Sequence, residues 1–187
     1  MISVDFNPEK HEYDGGRKIS VTKALVRAGL IDTAWFTEFG RDRGSAVHLA
    51  TRYYDEGDLD IDSIDPAVRP YLDAYRAYRE ETGWIWSAIE EPMAGDGFAG
   101  TPDRIAKAPT KAIVDIKTGA FQAWHSIQLA AYAAMTGDPF HYERIGLYLT
   151  EEGKFSVRVF PRAEYFADIN VFQSCVNIAN WKRRNNK

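Results

Sequence analysis

The sequence predicts an α/β domain with a mixed central β-sheet flanked by helices. Apolar residues recur with helical period between Val21 and Thr82, and the pattern then switches to strand-like runs between Trp84 and Lys117. Beyond Lys117 it reads helix, two strands, helix, an order that calls for helices layered on a sheet. The size agrees. A chain of 187 residues, 45% hydrophobic and 27% charged, can close one core and is too apolar to be mostly disordered. No internal repeat, low-complexity stretch or linker divides residues 1–187, so a single domain is expected.

Residues 2–19 read as a short β-hairpin. Val4 and Phe6 point one way, Tyr13 returns beside them, and Asp14-Gly15-Gly16 supplies turn residues that tolerate positive φ. Ser20 is placed to cap a short helix, 21–28, ending at Gly29. Asp32 or Thr33 can cap the next helix, which runs through Tyr54 before Gly57 stops it. Val47, Ala50, Thr51 and Tyr54 form its core-facing stripe. The acidic, turn-rich stretch 55–65 is expected to be a surface loop. Asp65 and Pro66 open a helix reaching Thr82, with Val68, Tyr71, Leu72, Tyr75 and Tyr78 on one face. Three consecutive strands follow at 84–93, 97–107 and 111–117, separated by Asp96-Gly97 and Ala108-Pro109-Thr110. Residues 121–136 are helical, 143–150 and 154–160 form a hairpin around Glu151-Glu152-Gly153, and a last helix runs from Pro161 to Trp181.

Composition excludes several functions. No apolar run approaches the roughly 20 residues of a membrane helix. Asp5 and Pro8 interrupt any leader-like stretch at the N-terminus. The single cysteine, Cys175, rules out an intramolecular disulfide, a four-cysteine zinc site and a cysteine-ligated iron-sulfur cluster, and fits a reducing, cytoplasmic setting. A P-loop and a Gly-x-Ser-x-Gly elbow are both missing, and His125 and His141 stand apart from any zinc-like spacing. The formal net charge of -4 does not advertise nucleic acid, although a cleft can be basic on an acidic protein.

The densest cluster of chemistry lies between Glu90 and Tyr132. In Gly100-Thr101-Pro102-Asp103-Arg104-Ile105 a carboxylate follows a proline, and Val114-Asp115-Ile116-Lys117-Thr118-Gly119 comes shortly after. Side chains alternate along a strand, so Asp115 and Lys117 share one face while Ile116 enters the core on the other. If the two strands are antiparallel neighbours, Asp103 lies beside Asp115. Converging carboxylates are costly unless a cation sits between them. Carboxylate and carbonyl oxygens suit Mg²⁺ or Mn²⁺, which can polarise a phosphoryl oxygen and lower the pKa of a bound water. A nearby lysine can orient that water and stabilise negative charge. An Asp-x-Lys pair alone is also a common surface pair on an edge strand.

With these residues in view, the chain resembles the PD-(D/E)XK nuclease superfamily, and most closely its RecB-like and phage-type exonuclease branch. Pro102-Asp103 and Asp115-Ile116-Lys117 match the two name-giving elements. Gln128-Leu129-Ala130-Ala131-Tyr132 looks like the branch's Gln-x-x-x-Tyr motif, and Gly44-Ser45-Ala46-Val47-His48 like its helical Gly-x-x-x-His element. His11-Glu12-Tyr13, followed by Ile19-Ser20-Val21-Thr22, is similar to the openings of phage-encoded members. The resemblance implies a restriction-endonuclease-like core over 84–187, preceded by the hairpin and helices of 1–83.

It also implies roles. Asp103 and Asp115 would bind the metal, with the Ile116 carbonyl and His48, and Lys117 would position or activate the attacking water. Related nucleases often recruit one more acid here. Glu90 and Glu91 face opposite sides of a strand, with a slight preference for Glu90. Gln128 and Tyr132, four apart on one helical face, would contact DNA or steady the site. Without the family a His beside an apolar stripe reads as a hydrogen-bonded, half-buried residue, and Gln128 and Tyr132 as helix-face and core-edge residues. Arg41, Arg43 and Arg104 flank the motifs and could hold the DNA backbone, with Arg43 and Arg104 otherwise supporting the site, and the basic tail 182–187 could do the same or be a solvated helix end. Trp35, Phe36 and Trp124 could stack unpaired bases or lie in the core.

The expected activity is Mg²⁺- or Mn²⁺-dependent hydrolysis of DNA. The form expected from the resemblance is an exonuclease on linear DNA in phage-type recombination or processing, in a phage or its bacterial host. A single-strand or structure-selective endonuclease, and a non-catalytic DNA-binding or assembly protein, are the alternatives. No iron-sulfur cluster is expected. Unwinding would need a partner, such as a recombination or single-strand-binding protein.

Overall fold

Apolar faces at two periods dictate how the chain layers. The computed structural model describes residues 4–35 and 37–185, and Ile2 and the side chains of Trp35 and Phe36 lie outside that set. Ser20 Oγ accepts the Lys23 amide and starts α1 (Val21–Ala28), which Gly29 ends in the left-handed region. Helix α2 (Glu38–Glu56) carries the stripe Val47, Ala50, Thr51, and α3 (Arg69–Thr82) carries Tyr71, Leu72, Tyr75 and Tyr78. These two helices cover one face of a five-stranded sheet.

The strands of that sheet are β4 (Ile85–Ile89), β7 (Arg104–Ala108), β8 (Ala112–Lys117), β9 (Glu143–Leu149) and β10 (Phe155–Phe160). Their order across it is β10-β9-β8-β7-β4. β8 and β9 are parallel, joined through α4 (Trp124–Met135), and the other pairs are antiparallel. Ala112, Val114 and Ile116 of β8 meet the α2–α3 layer, while Ile113 packs into a second core with α1, α4 and α5 (Tyr165–Asn185). The α/β class and the mixed sheet between helices are as the sequence predicts. Among the described residues no helix is long and apolar enough to cross a membrane.

Several details differ. The first hairpin, β1 (Phe6–Asn7) and β2 (Glu12–Tyr13), turns at residues 8–11, and Asp14–Gly16 makes a separate 3-10 turn leading to the Tyr13–Lys18 bridge. Asp32 caps a 3-10 turn at Thr33–Trp35, whereas Thr37 caps α2. Asp65 and Pro66 form a turn, so α3 starts three residues later than expected, at Arg69. Two of the three long strands are broken. Pro92 and Pro102 have no N–H to give a ladder. β5 (Met93–Ala94) and β6 (Phe98–Gly100) therefore leave the main sheet and form a small one with β3 (Ile19–Ser20). Gly100 suits the crowding there, since a Cβ would lie 2.8 Å from the Tyr132 ring and 2.9 Å from Val21.

Candidate active site

The break at Pro102 leaves Asp103 one residue ahead of β7, not inside a strand. Arg104 pairs with Val114, and Asp103 sits at the open end of the same antiparallel ladder as Asp115. One Asp103 oxygen, Oδ2, accepts the Ile116 amide at 2.6 Å, which pins the carboxylate to β8. The Ile116 carbonyl lies on that same edge of the strand. Its side chain points away into the core. Asp115 and Lys117 share the opposite face, with Lys117 Nζ 2.5 Å from Asp115 Oδ2 and 2.8 Å from Gln128 Oε1. Gln128 Nε2 donates to Tyr132 Oη at 3.1 Å, one turn further along α4. Both α4 residues are buried, so their geometry steadies Lys117 and offers little to a ligand.

His48, beside the apolar stripe of α2, brings Nδ1 to 3.2 Å from the other Asp103 oxygen. Glu90 follows the end of β4 at a positive φ of 47°, and its amide donates to the Asp103 carbonyl. The strand has already ended there, so the alternation expected of Glu90 and Glu91 does not apply. Glu90 is half-buried near Asp103 and 3.5 Å from Arg52, and Glu91 is exposed.

The charges lean on one another. Burial works to lower the His48 pKa, but the Asp103 carboxylate outweighs it, so the ring is held above its usual value. Burial pushes Asp103 up, and His48, Lys117 and the Ile116 amide overcome this and hold it below the carboxylate range. Asp115 stays raised, because burial and the neighbouring Asp103 outweigh Lys117. Burial also raises Glu90, with Asp103 adding to the effect.

Of the two roles open to Arg104, DNA contact and support of the site, burial removes the first: its side chain is 0% exposed, so it cannot reach a ligand from solution. Its guanidinium holds Asp55 at 2.6 Å, Thr51 at 3.3 Å and the Asp103 carbonyl at 2.7 Å. Asp55, at the head of the stretch that composition marks as a surface loop, instead lies in the last turn of α2 with its side chain fully buried, and also receives Arg79 at 2.9 Å and the Tyr75 hydroxyl. This network ties α2, α3 and β7 together behind the site. Spacing gives one clue to Asp55, which continues the Val47–Thr51 stripe at i+4. Its partners at 79 and 104 are too distant in sequence to see.

A cleft of about 450 Å³ opens at the site, lined by Arg41, Arg43, His48, Lys117, Trp124 and His125. Arg43 stacks on Tyr71 and Phe39, and Lys117 sits 5.3 Å over the Trp124 ring. His125 is buried against the Tyr148 hydroxyl at 2.9 Å, and burial, aided by Lys117, lowers its pKa to about 3.

The donors present are of the kind that suits an oxygen-seeking cation, and Asp115 Oδ2 is buried without a well-directed hydrogen bond despite its contact with Lys117. Among the described residues, however, no three His, Cys, Asp or Glu side chains converge on one point. Asp103 and Asp115 are each turned to a cationic side chain, and binding a metal requires them to exchange those partners.

No family model matches the chain, and no curated protein does. Solved structures do. A phage-related exonuclease from Haemophilus somnus aligns at 10% identity over 91% of this chain and 96% of its own, with a TM-score of 0.48. The alkaline exonuclease LHK-Exo from Laribacter hongkongensis aligns at 16% identity over 89% and 92%, with a TM-score of 0.39. A protein assigned as an exonuclease from Eubacterium rectale aligns at 13% identity over 89% and 82%, with a TM-score of 0.57, and it is this likeness that establishes a shared architecture, the mixed sheet flanked by helices.

Proposed function

We propose that this chain is a metal-dependent nuclease that hydrolyses DNA phosphodiester bonds, acting as an exonuclease on linear DNA in phage-type recombination or processing. The observation that carries the reading is the end of the β7–β8 ladder, where Asp103, Asp115 and Lys117 meet, with Lys117 held between Asp115 and Gln128. The fold shared with an assigned exonuclease is consistent with it. So is the resemblance of the same residues to the PD-(D/E)XK nucleases and their RecB-like branch.

Asp103, Asp115, the Ile116 carbonyl and His48 are the groups that would hold Mg²⁺ or Mn²⁺, with Glu90 as a further carboxylate. Such an ion supplies Lewis acidity and a more acidic water. Lys117 does the rest from this chain. Its ammonium, fixed by Gln128, orients the attacking water and faces the charge that grows on the phosphoryl oxygens. Tyr132 fixes Gln128, and Arg43 and Arg41 on the cleft wall are placed to take the flanking phosphates. Arg104 and Asp55 keep Asp103 in place from behind.

The test is degradation of end-labelled linear single-stranded and double-stranded DNA beside closed circles, with Mg²⁺, Mn²⁺ or EDTA. Metal-dependent loss of linear DNA only, abolished in Lys117→Ala and Asp115→Ala, is the expected result. Cleavage of circles would replace the exonuclease with an endonuclease, and wild-type rates in both variants would move the chemistry elsewhere.

A further inference from the structure

We propose that a second trough, leading from the site towards the β9–β10 turn, is a stacking subsite for an unpaired DNA strand, with Phe121 and Arg158 as its platform. The proposal rests on the nuclease reading and adds to it the kind of strand that the enzyme holds.

The trough has a volume of about 680 Å³, within the roughly 300–1,000 Å³ of small-ligand pockets, and it shares Arg43 and the Thr118–Ala120 backbone with the site cleft. Phe121 lies four residues beyond Lys117. It is 41% exposed, whereas Tyr148 and Phe160 beside it are buried. The ring is braced edge-on by His125 at 6.0 Å and Tyr148 at 6.3 Å, so it is a fixed surface. The exposed Arg158 guanidinium lies 3.8 Å over it and makes no ion pair among the described residues, and Phe160 stacks near the ring at 6.4 Å, so a base would stack on the guanidinium that Phe121 holds in place. An aromatic ring and a guanidinium plane are the two surfaces on which proteins stack single-stranded bases.

Arg43 also lines the trough, and its half-buried guanidinium, held over Tyr71 and Phe39, adds a positive charge for a backbone phosphate. Glu151 and Glu152 also line the trough, on the side of Tyr71, and their charge disfavours phosphate there, which leaves the Arg158 side for the strand. Stacking needs a base with a free face. Paired bases keep theirs covered, so the subsite selects an unpaired strand.

The test is equilibrium binding of a fluorescent single-stranded oligonucleotide, and of the blunt duplex of the same sequence, measured by anisotropy in EDTA. Wild type, Phe121→Ala, Phe121→Trp and Arg158→Ala are compared, with circular dichroism to check folding. Phe121→Ala is expected to weaken single-strand binding about five- to a hundredfold. Phe121→Trp should restore it, with duplex binding unchanged in both Phe121 variants. No loss, or an equal loss on both DNAs, overturns the subsite. If Phe121→Ala fails to fold, unchanged single-strand affinity in Arg158→Ala, at an exposed position, overturns it. Wild-type cleavage with Mn²⁺ is run in parallel. Cleavage without a stacking effect removes the subsite alone, and a wild type that neither cleaves nor binds removes both readings.

Discussion

Lys117 is the residue on which the candidate chemistry turns, and its position depends on a buried neighbour. Gln128 Oε1 accepts from its ammonium at 2.8 Å, and Tyr132 fixes the amide in turn. Gln128→Met keeps the volume and removes the acceptor. Steady-state kinetics should show kcat down by about tenfold to a hundredfold with KM little changed, the signature of a misplaced group. His125 makes a different point. Its folded pKa, about 3, lies below the unfolded value of about 6.5, so folding favours the neutral ring. As the pH falls the unfolded chain takes up the proton first. The stability that this group contributes is whole above about pH 6.5 and is lost as the pH falls towards about 3. A ring that stays neutral at pH 5 in an NMR titration is the expected result, and a midpoint near 6.5 would contradict it.

At the scale of elements, the site is assembled from the ends of β7 and β8 and the flanks of α2 and α4. Much of this was legible. Period 2 placed Asp115 and Lys117 together and sent Ile116 inward, and Gln128 and Tyr132 fell on one helical face. What stayed hidden depended on contacts distant in sequence. Asp55 and Arg104 read as an acidic loop residue and a basic flank, because the charge that satisfies each lies 49 positions away on another element. The broken strands at Pro92 and Pro102 had a visible cause in the missing N–H. The small sheet that resulted needed β3 from the N-terminus, which no local pattern announces. Asp55→Ala should strand Arg104 as an unpaired buried charge and cost about 3–5 kcal/mol, read as a lower urea midpoint. A loss under about 1 kcal/mol would mean that the cluster is solvated.

For the whole molecule, ligand binding and stability are linked. If the carboxylates exchange His48 and Lys117 for a divalent ion, a concentration a hundred times Kd adds about 2.7 kcal/mol. In a chain of 187 residues that corresponds to a rise in Tm of roughly 5–10 °C. Thermal melts with Mn²⁺ should show this shift in wild type and not in Asp115→Ala. A shift of equal size in both would place the ion elsewhere.

β8 lies in the middle of the sheet, with its side chains divided between two cores. Neither core can loosen without disturbing it. Its amides should therefore be among the last to take up deuterium, opening only when the entire molecule unfolds. The strand that carries Asp115 and Lys117 is then also the kinetic keystone of the protein. Heat should abolish the proposed activity in a single step coincident with global melting, with no earlier phase in which the fold persists and the site is lost.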